Sequence, residues 1–182
     1  MPLPNISAAQ IEWVVKQVAA YIERQHQTYR RRAVPLDQKQ KTVMQSFFPP
    51  STLDTARVVV LAGERVGNPL FYTELITMGF EAGSLPDFAH MAAITFVDTM
   101  VSHGPFTDRL LFHELVHVVQ YDKLGLAEFA AKYLRGFLSG GAYEAIPLER
   151  NAYELDGRFE GEPTKAFSVA DEVQAWIDAG RF

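Results

Sequence analysis

Residues 110–120 read Leu-Leu-Phe-His-Glu-Leu-Val-His-Val-Val-Gln, which sets His113 and His117 four positions apart with Glu114 directly after the first. Four residues make just over one helical turn, so the two imidazoles project from one face about 6 Å apart. Neutral rings at that separation can share one tetrahedral cation. On a helical wheel Glu114 lies ~100° from His113, with His117 between them at ~40°. Glu114 can thus reach a water on that cation without being a ligand, as a general base does beside a metal. Outside the trio every residue from 110 to 119 is apolar, the mark of a helix buried on most of its surface. Two histidines and a carboxylate in such a helix need partners. A divalent cation and its surrounding hydrogen bonds satisfy all three; a pair of core histidines satisfied by neighbouring side chains is the alternative.

A catalytic zinc takes three protein ligands and one water. The chain has no cysteine, so disulfides and thiolate sites are impossible, and any zinc is held by histidine and carboxylate, which favours a catalytic over a structural site. No histidine follows His117, leaving Glu128, Glu144, Glu149, Glu154 and Asp156 as downstream acidic candidates. A helix expected from Pro147 carries the apolar stripe Leu148, Ala152, Leu155 and Phe159, which faces the core. Glu149, Tyr153 and Asp156 lie within ~100° of Ala152 on the shoulder of that stripe, whereas Glu154 points almost the opposite way. Glu149 is the preferred third ligand, with Asp156 or Tyr153 placed to orient a ligand by hydrogen bonding. Glu144 is the next candidate. The competing account of Glu149 is a first-turn glutamate favoured by the helix dipole.

The 113–120 segment resembles the active-site helix of zincin metallopeptidases. With a glutamate ligand on a later helix, it is similar to the gluzincin branch. More narrowly, this helix followed by Pro-Leu-Glu-Arg-Asn-Ala-Tyr at 147–153 resembles small bacterial predicted-peptidase domains, over about positions 92–159. The resemblance implies one Zn²⁺ held by His113, His117 and Glu149, with Glu114 as general base. Thermolysin-like members carry an acidic residue four positions after the glutamate ligand, where this chain has Tyr153.

The expected activity is therefore zinc-dependent hydrolysis of a peptide or protein substrate, Glu114 taking the proton of a water activated by the metal. An extended peptide can add to the edge of a strand over 92–101, and His103, Tyr143 and Tyr153 are candidate oxyanion donors. Two rival readings are a non-catalytic metal-binding or scaffold domain and, more remotely, a di-iron carboxylate protein. The latter would pair Glu114 and His117 with Glu23 and His26.

The elements that must position these groups follow from local pattern. Ser7 with Gln10 reads as a capping box ahead of a helix over 7–29. A short helix over 36–47 is expected to end at Pro49-Pro50. Strands are expected over 57–61 and 92–101, with 68–93 ambiguous. Gly104-Pro105 opens the motif helix, which stops at Gly125. Helices over 126–138, from Pro147 to about Phe159, and from Ser168 through Ile177 complete the set, with Ser139-Gly140-Gly141 as a flexible connection. The fold class is helix-rich α+β with a small sheet. At 182 residues one domain is expected, its parts being residues 1–50, the metal-site core 51–160 and the helix of 161–182.

Composition is that of an ordinary globular protein, 48% hydrophobic and 21% charged. No signal-peptide pattern and no apolar run of membrane-spanning length is visible, so the cytoplasm is the expected location. The net charge of −5 is unevenly spread, basic in residues 1–41 and acidic in 144–182. Arg30-Arg31-Arg32 stands without interleaved glycine or aromatics, reads as a solvated helix end, and gives no reason to expect nucleic-acid binding. Oligomeric state is not legible.

Overall fold

Ser7 accepts a hydrogen bond from the Gln10 amide while the Gln10 side chain accepts from the Ser7 amide, and this reciprocal cap starts helix α1, Ala8–Arg30. The computed structural model describes residue 4, residues 6–140 and residues 143–182. The same device, Asp37 with Gln40, starts α2, Gln38–Met44. This helix is shorter at both ends than the one expected over 36–47, with Asp37 as its N-cap and Gln45 as its C-cap. Pro49-Pro50 ends nothing directly: Pro50 is the first residue of α3, Pro50–Thr55, where its missing N–H costs nothing and its fixed φ suits a helix.

The sheet is mixed, in the order β1-β2-β4-β3. β1 is Val34–Pro35, β2 Arg57–Val60, β3 Ala93–Phe96 and β4 Thr99–Ser102. β1 was not expected; two residues ending in proline carry no strand signal. The single strand expected over 92–101 is instead the β3–β4 hairpin, turning at Val97-Asp98. Val97 has a φ of 60°, a conformation that a β-branched residue adopts only under outside constraint. Asp98 supplies it: its carboxylate pairs with His26 at 2.8 Å and Arg30 at 3.5 Å on α1, and its carbonyl accepts from the Arg57 amide at 2.8 Å.

Successive strand residues face opposite sides. Val59, Ile94, Phe96 and Val101 pack with Val14, Tyr21, Ile22 and Tyr29 of α1. Val58 and Met100 face the other way, against Leu111, Phe112, Leu115 and Val119. These last belong to α5, Asp108–Gly140, whose start is capped by Thr107 accepting from the Leu110 amide at 3.1 Å. The helix thus begins three residues after the expected Gly104-Pro105 opening. Helix α6, Pro147–Gly161, lies along α5, and α7, Val169–Asp178, closes the layer with Ser168 accepting from the Asp171 amide. Between β2 and β3 runs a long crossover, residues 61–92, whose regular parts are helix α4, Tyr72–Thr77, and a 3₁₀ turn, Ala82–Ser84. A second such turn, Tyr143–Ala145, precedes α6. Of the expected flexible connection, Ser139 and Gly140 are instead the last residues of α5, and Gly141 lies outside the described residues. The architecture is α+β, and no helix among the described residues is long and apolar enough to cross a membrane.

Within α5, Gly125 has φ 73° and ψ 162°, so the motif helix does stop there and a second helical stretch begins. That backbone region is open to glycine alone, and nothing lies within 4 Å of where a Cβ would stand. Gly125→Ala should therefore lower the unfolding free energy by ~1–3 kcal/mol through backbone strain alone. Gly157→Ala, at an exposed and equally open site within α6, should raise it by up to ~1 kcal/mol. Urea denaturation midpoints of the two variants check both signs.

Candidate metal centre

Two helices meet at the motif. The α5 face that packs on α6 carries Phe112, whose ring stacks on Phe159 at 4.6 Å between centroids and 11° between planes. One residue further on, His113 and His117 turn their Nε2 atoms to each other at 3.2 Å. The Oε2 atom of Glu149, in the first turn of α6, stands 3.5 Å from the first and 3.4 Å from the second. A tetrahedral cation with bonds of about 2.0–2.1 Å has ligand–ligand edges of about 3.3 Å. The three observed edges match that triangle. Glu149 Oε2 is buried and has no hydrogen-bond partner.

The far nitrogens settle what the near ones can do. His113 Nδ1 lies 2.7 Å from Asp156 Oδ2, so it donates to that carboxylate. His117 Nδ1 lies 2.8 Å from Gln120 Oε1. The Gln120 amide cannot be turned round, because its Nε2 donates to the Leu148 carbonyl, which only accepts, and to Asn151 Oδ1, each at 3.0 Å. Both Nδ1 atoms therefore carry protons, so each ring, when neutral, has its lone pair on Nε2, directed inward. Two lone pairs and a carboxylate oxygen converging in a buried place fit a divalent cation held by His113, His117 and Glu149.

Charge balance points the same way. Burial pulls the His113 imidazolium down, but the hydrogen bond to Asp156 and the nearby carboxylates of Glu149 and Glu114 push it up to about 10. His117 is also raised, burial being outweighed by Glu149. Burial would raise Glu149, yet His117 and His113 hold it below the usual carboxylate range. The site thus favours positive charge at its centre, carried either by protons or by a metal.

Each remaining residue singled out in the sequence has a definite place. Glu114 is buried, its Oε2 accepting from Thr95 Oγ1 at 2.7 Å. Asp156 takes the His113 bond on one oxygen and Arg109 on the other, at 2.9 Å from Nη2 and 3.0 Å from Nε; Arg109 also pairs with Glu160. The Tyr153 ring sits 4.6 Å from that of His113 and is 45% exposed. Tyr143 lines a cavity that opens on Glu114, His117 and Glu149. His103 is not brought to the cluster. Its Nε2 accepts from the Val66 amide at 3.0 Å and its Nδ1 donates to the Met91 carbonyl. Glu144, Glu154 and Glu128 are exposed, the last two beside Arg181 and Lys132. Glu23 is exposed and His26 bonds Asp98, far in role from the ExxH pair that a di-iron site requires. His90 pairs with Asp87 at the surface.

Sequence reasoning missed Gln120, Asn151, Thr95 and Arg109. Gln120 was the findable one: it is the next polar residue after His117 on an otherwise apolar helix, three positions on and so on the same face. No family model, curated protein or solved structure matches the chain.

Gln120 and Asn151 are both fully buried. Gln120→Leu keeps the volume but strands the His117 N–H and Asn151 Oδ1, while the Leu148 carbonyl keeps its helical bond within α6. It should lower the unfolding free energy of metal-free protein by ~2–4 kcal/mol, since each buried group left unpaired costs ~1–3 kcal/mol. Urea titration followed by circular dichroism measures it, and a change below about 1 kcal/mol would mean the amide is not the tie described.

Proposed function

We propose that the chain is a zinc-dependent peptidase of the gluzincin kind, with zinc held by His113, His117 and Glu149. The observation that carries this reading is the triangle of two Nε2 atoms and one carboxylate oxygen with edges of 3.2, 3.4 and 3.5 Å. Its support from sequence is the HExxH spacing. When bound, Zn²⁺ would polarise the scissile carbonyl and lower the pKa of a coordinated water to about 7.

The chain's own groups supply the rest. Glu114, with one oxygen held by Thr95, accepts the proton of the attacking water and delivers it to the leaving nitrogen. β3 is the outermost strand of the sheet on this side but its four residues are buried, so an extended peptide adds to its edge only when the crossover beside it moves. Tyr143 stays protonated well above neutral pH because burial, then Tyr133 and Glu149, raise its pKa. Tyr153 is raised by burial and by Glu149. Both phenols are therefore hydrogen-bond donors for an oxyanion at neutral pH.

A second reading, a non-catalytic core tie, is favoured by the same charge balance, since protons on the two histidines also neutralise Glu149. Elemental analysis separates the two. Protein purified without chelator should hold close to one zinc per chain, and His117→Ala and Glu149→Ala should each lose it. Metal-free wild type would leave the core tie standing. Glu114→Gln should keep the zinc and lose roughly 10²–10⁴-fold in turnover of a peptide substrate, the usual size of a general-base contribution. Unchanged turnover would remove Glu114 from the role assigned.

A further inference from the structure

Beside the cluster the core is not filled. A cavity of about 100 Å³ lies between α1, the crossover 61–92, β3 and the 126–140 stretch of α5. All four residues of β3 line it. Since alternate strand residues face opposite sides, the cavity runs along the strand's free edge. Phe71, Leu75, Phe80 and Phe88 form its outer wall, Val18 and Ile22 one side, and Phe129 and Phe137 another.

Among the described residues its only charged lining is Glu114, His117 and Glu149, at the candidate metal centre. Two of its tyrosines spend their hydroxyls elsewhere, Tyr21 on the Gly67 carbonyl at 2.7 Å and Tyr72 on the Pro86 carbonyl at 2.9 Å, leaving their rings to the cavity. Thr95, Tyr121, Tyr133 and Tyr143 are its other polar lining residues, and the rest of the lining is apolar. A void this large forfeits packing contacts along its lining, and it lies next to the candidate metal centre. A cavity of ~150 Å³ walled by aliphatic and aromatic side chains takes up benzene. This one needs only a small outward movement of one wall to do the same.

The wall that can move is the crossover. Its one helix, α4, has six residues, and many of its backbone bonds are local turns, the character of segments that open at low free-energy cost. His103 clasps both of its ends, through the Val66 amide and the Met91 carbonyl. Leu70 is 85% exposed between Pro69 and Phe71, which both line the cavity.

We infer that this cavity receives one neutral apolar group of the substrate, of branched aliphatic to phenyl size, and that residues 61–92 are the lid displaced to admit it. That the occupant belongs to a substrate rests on the catalytic reading of the cluster. Binding to the cavity can be tested apart from it, with benzene as the probe. Benzene titrated into wild type, both zinc-loaded and metal-free, should shift the methyl resonances of Leu75, Ile94 and Leu134 with a low-millimolar Kd. It should also slow hydrogen exchange of the α4 amides.

Val18→Phe and Ala93→Leu, which fill the cavity from α1 and from β3, should each weaken benzene at least tenfold in whichever variant retains the wild-type circular dichroism. Absence of benzene shifts in wild type, or shifts that both filled variants retain, would overturn the inference. Benzene binding in a protein that takes up no zinc would keep the cavity and its lid while removing the catalytic reading. Zinc uptake with no benzene binding would do the reverse.

Discussion

Two imidazole nitrogens and one carboxylate oxygen meet within 3.5 Å of one another in a place nearly sealed from water. Such a meeting is tolerable only if the two helices that bring it about cannot drift. Each has its own brace. Asp156 on α6 reaches across to His113 on α5 and is itself gripped by Arg109. Gln120 on α5 reaches across to the Leu148 carbonyl, one residue before Glu149, while accepting from His117. The two histidines of α5 are therefore each tied to α6, the helix that carries Glu149. Apolar packing adds the coarse alignment, with Phe112 stacked on Phe159 and edge-on to Phe47 and Phe48.

The sheet acts on this centre through register. Thr95 pairs with Met100, and Met100 faces α5, so Thr95 faces α5 as well and its hydroxyl meets Glu114. A slip of one residue would present Ile94 or Phe96 instead, and the Glu114 carboxylate would be buried with no donor from the sheet. The turn at Val97-Asp98 sets that register, and Asp98 is held from α1 and β2. A contact with His26, remote from the motif in the chain, thus bears on the orientation of the proposed base.

Much of the helical skeleton was legible because its signals are local. Ser7 with Gln10, Pro147 at a helix start, Ser168 with Asp171, and Gly125 as a stop act within one turn of the residues they govern. The HExxH spacing belongs with them, since any helix through 113–117 places both imidazoles on one face. Even the side of α6 that carries Glu149 and Asp156 followed from a single-helix argument, the shoulder of the stripe Leu148, Ala152, Leu155 and Phe159.

What only the tertiary structure decided is each relation between residues far apart in the chain: the hairpin in place of one strand, the pairing of β1 with β2, and the assignment of His103 to the crossover. The choice of Gln120 and Thr95 as hydrogen-bond partners belongs here too. Periodicity records which face of an element is apolar, and every helix face with the same stripe looks alike to it. Which opposing carbonyl, hydroxyl or carboxylate lies within 3 Å depends on how two faces dock, a matter of packing shape that no window of ten residues contains.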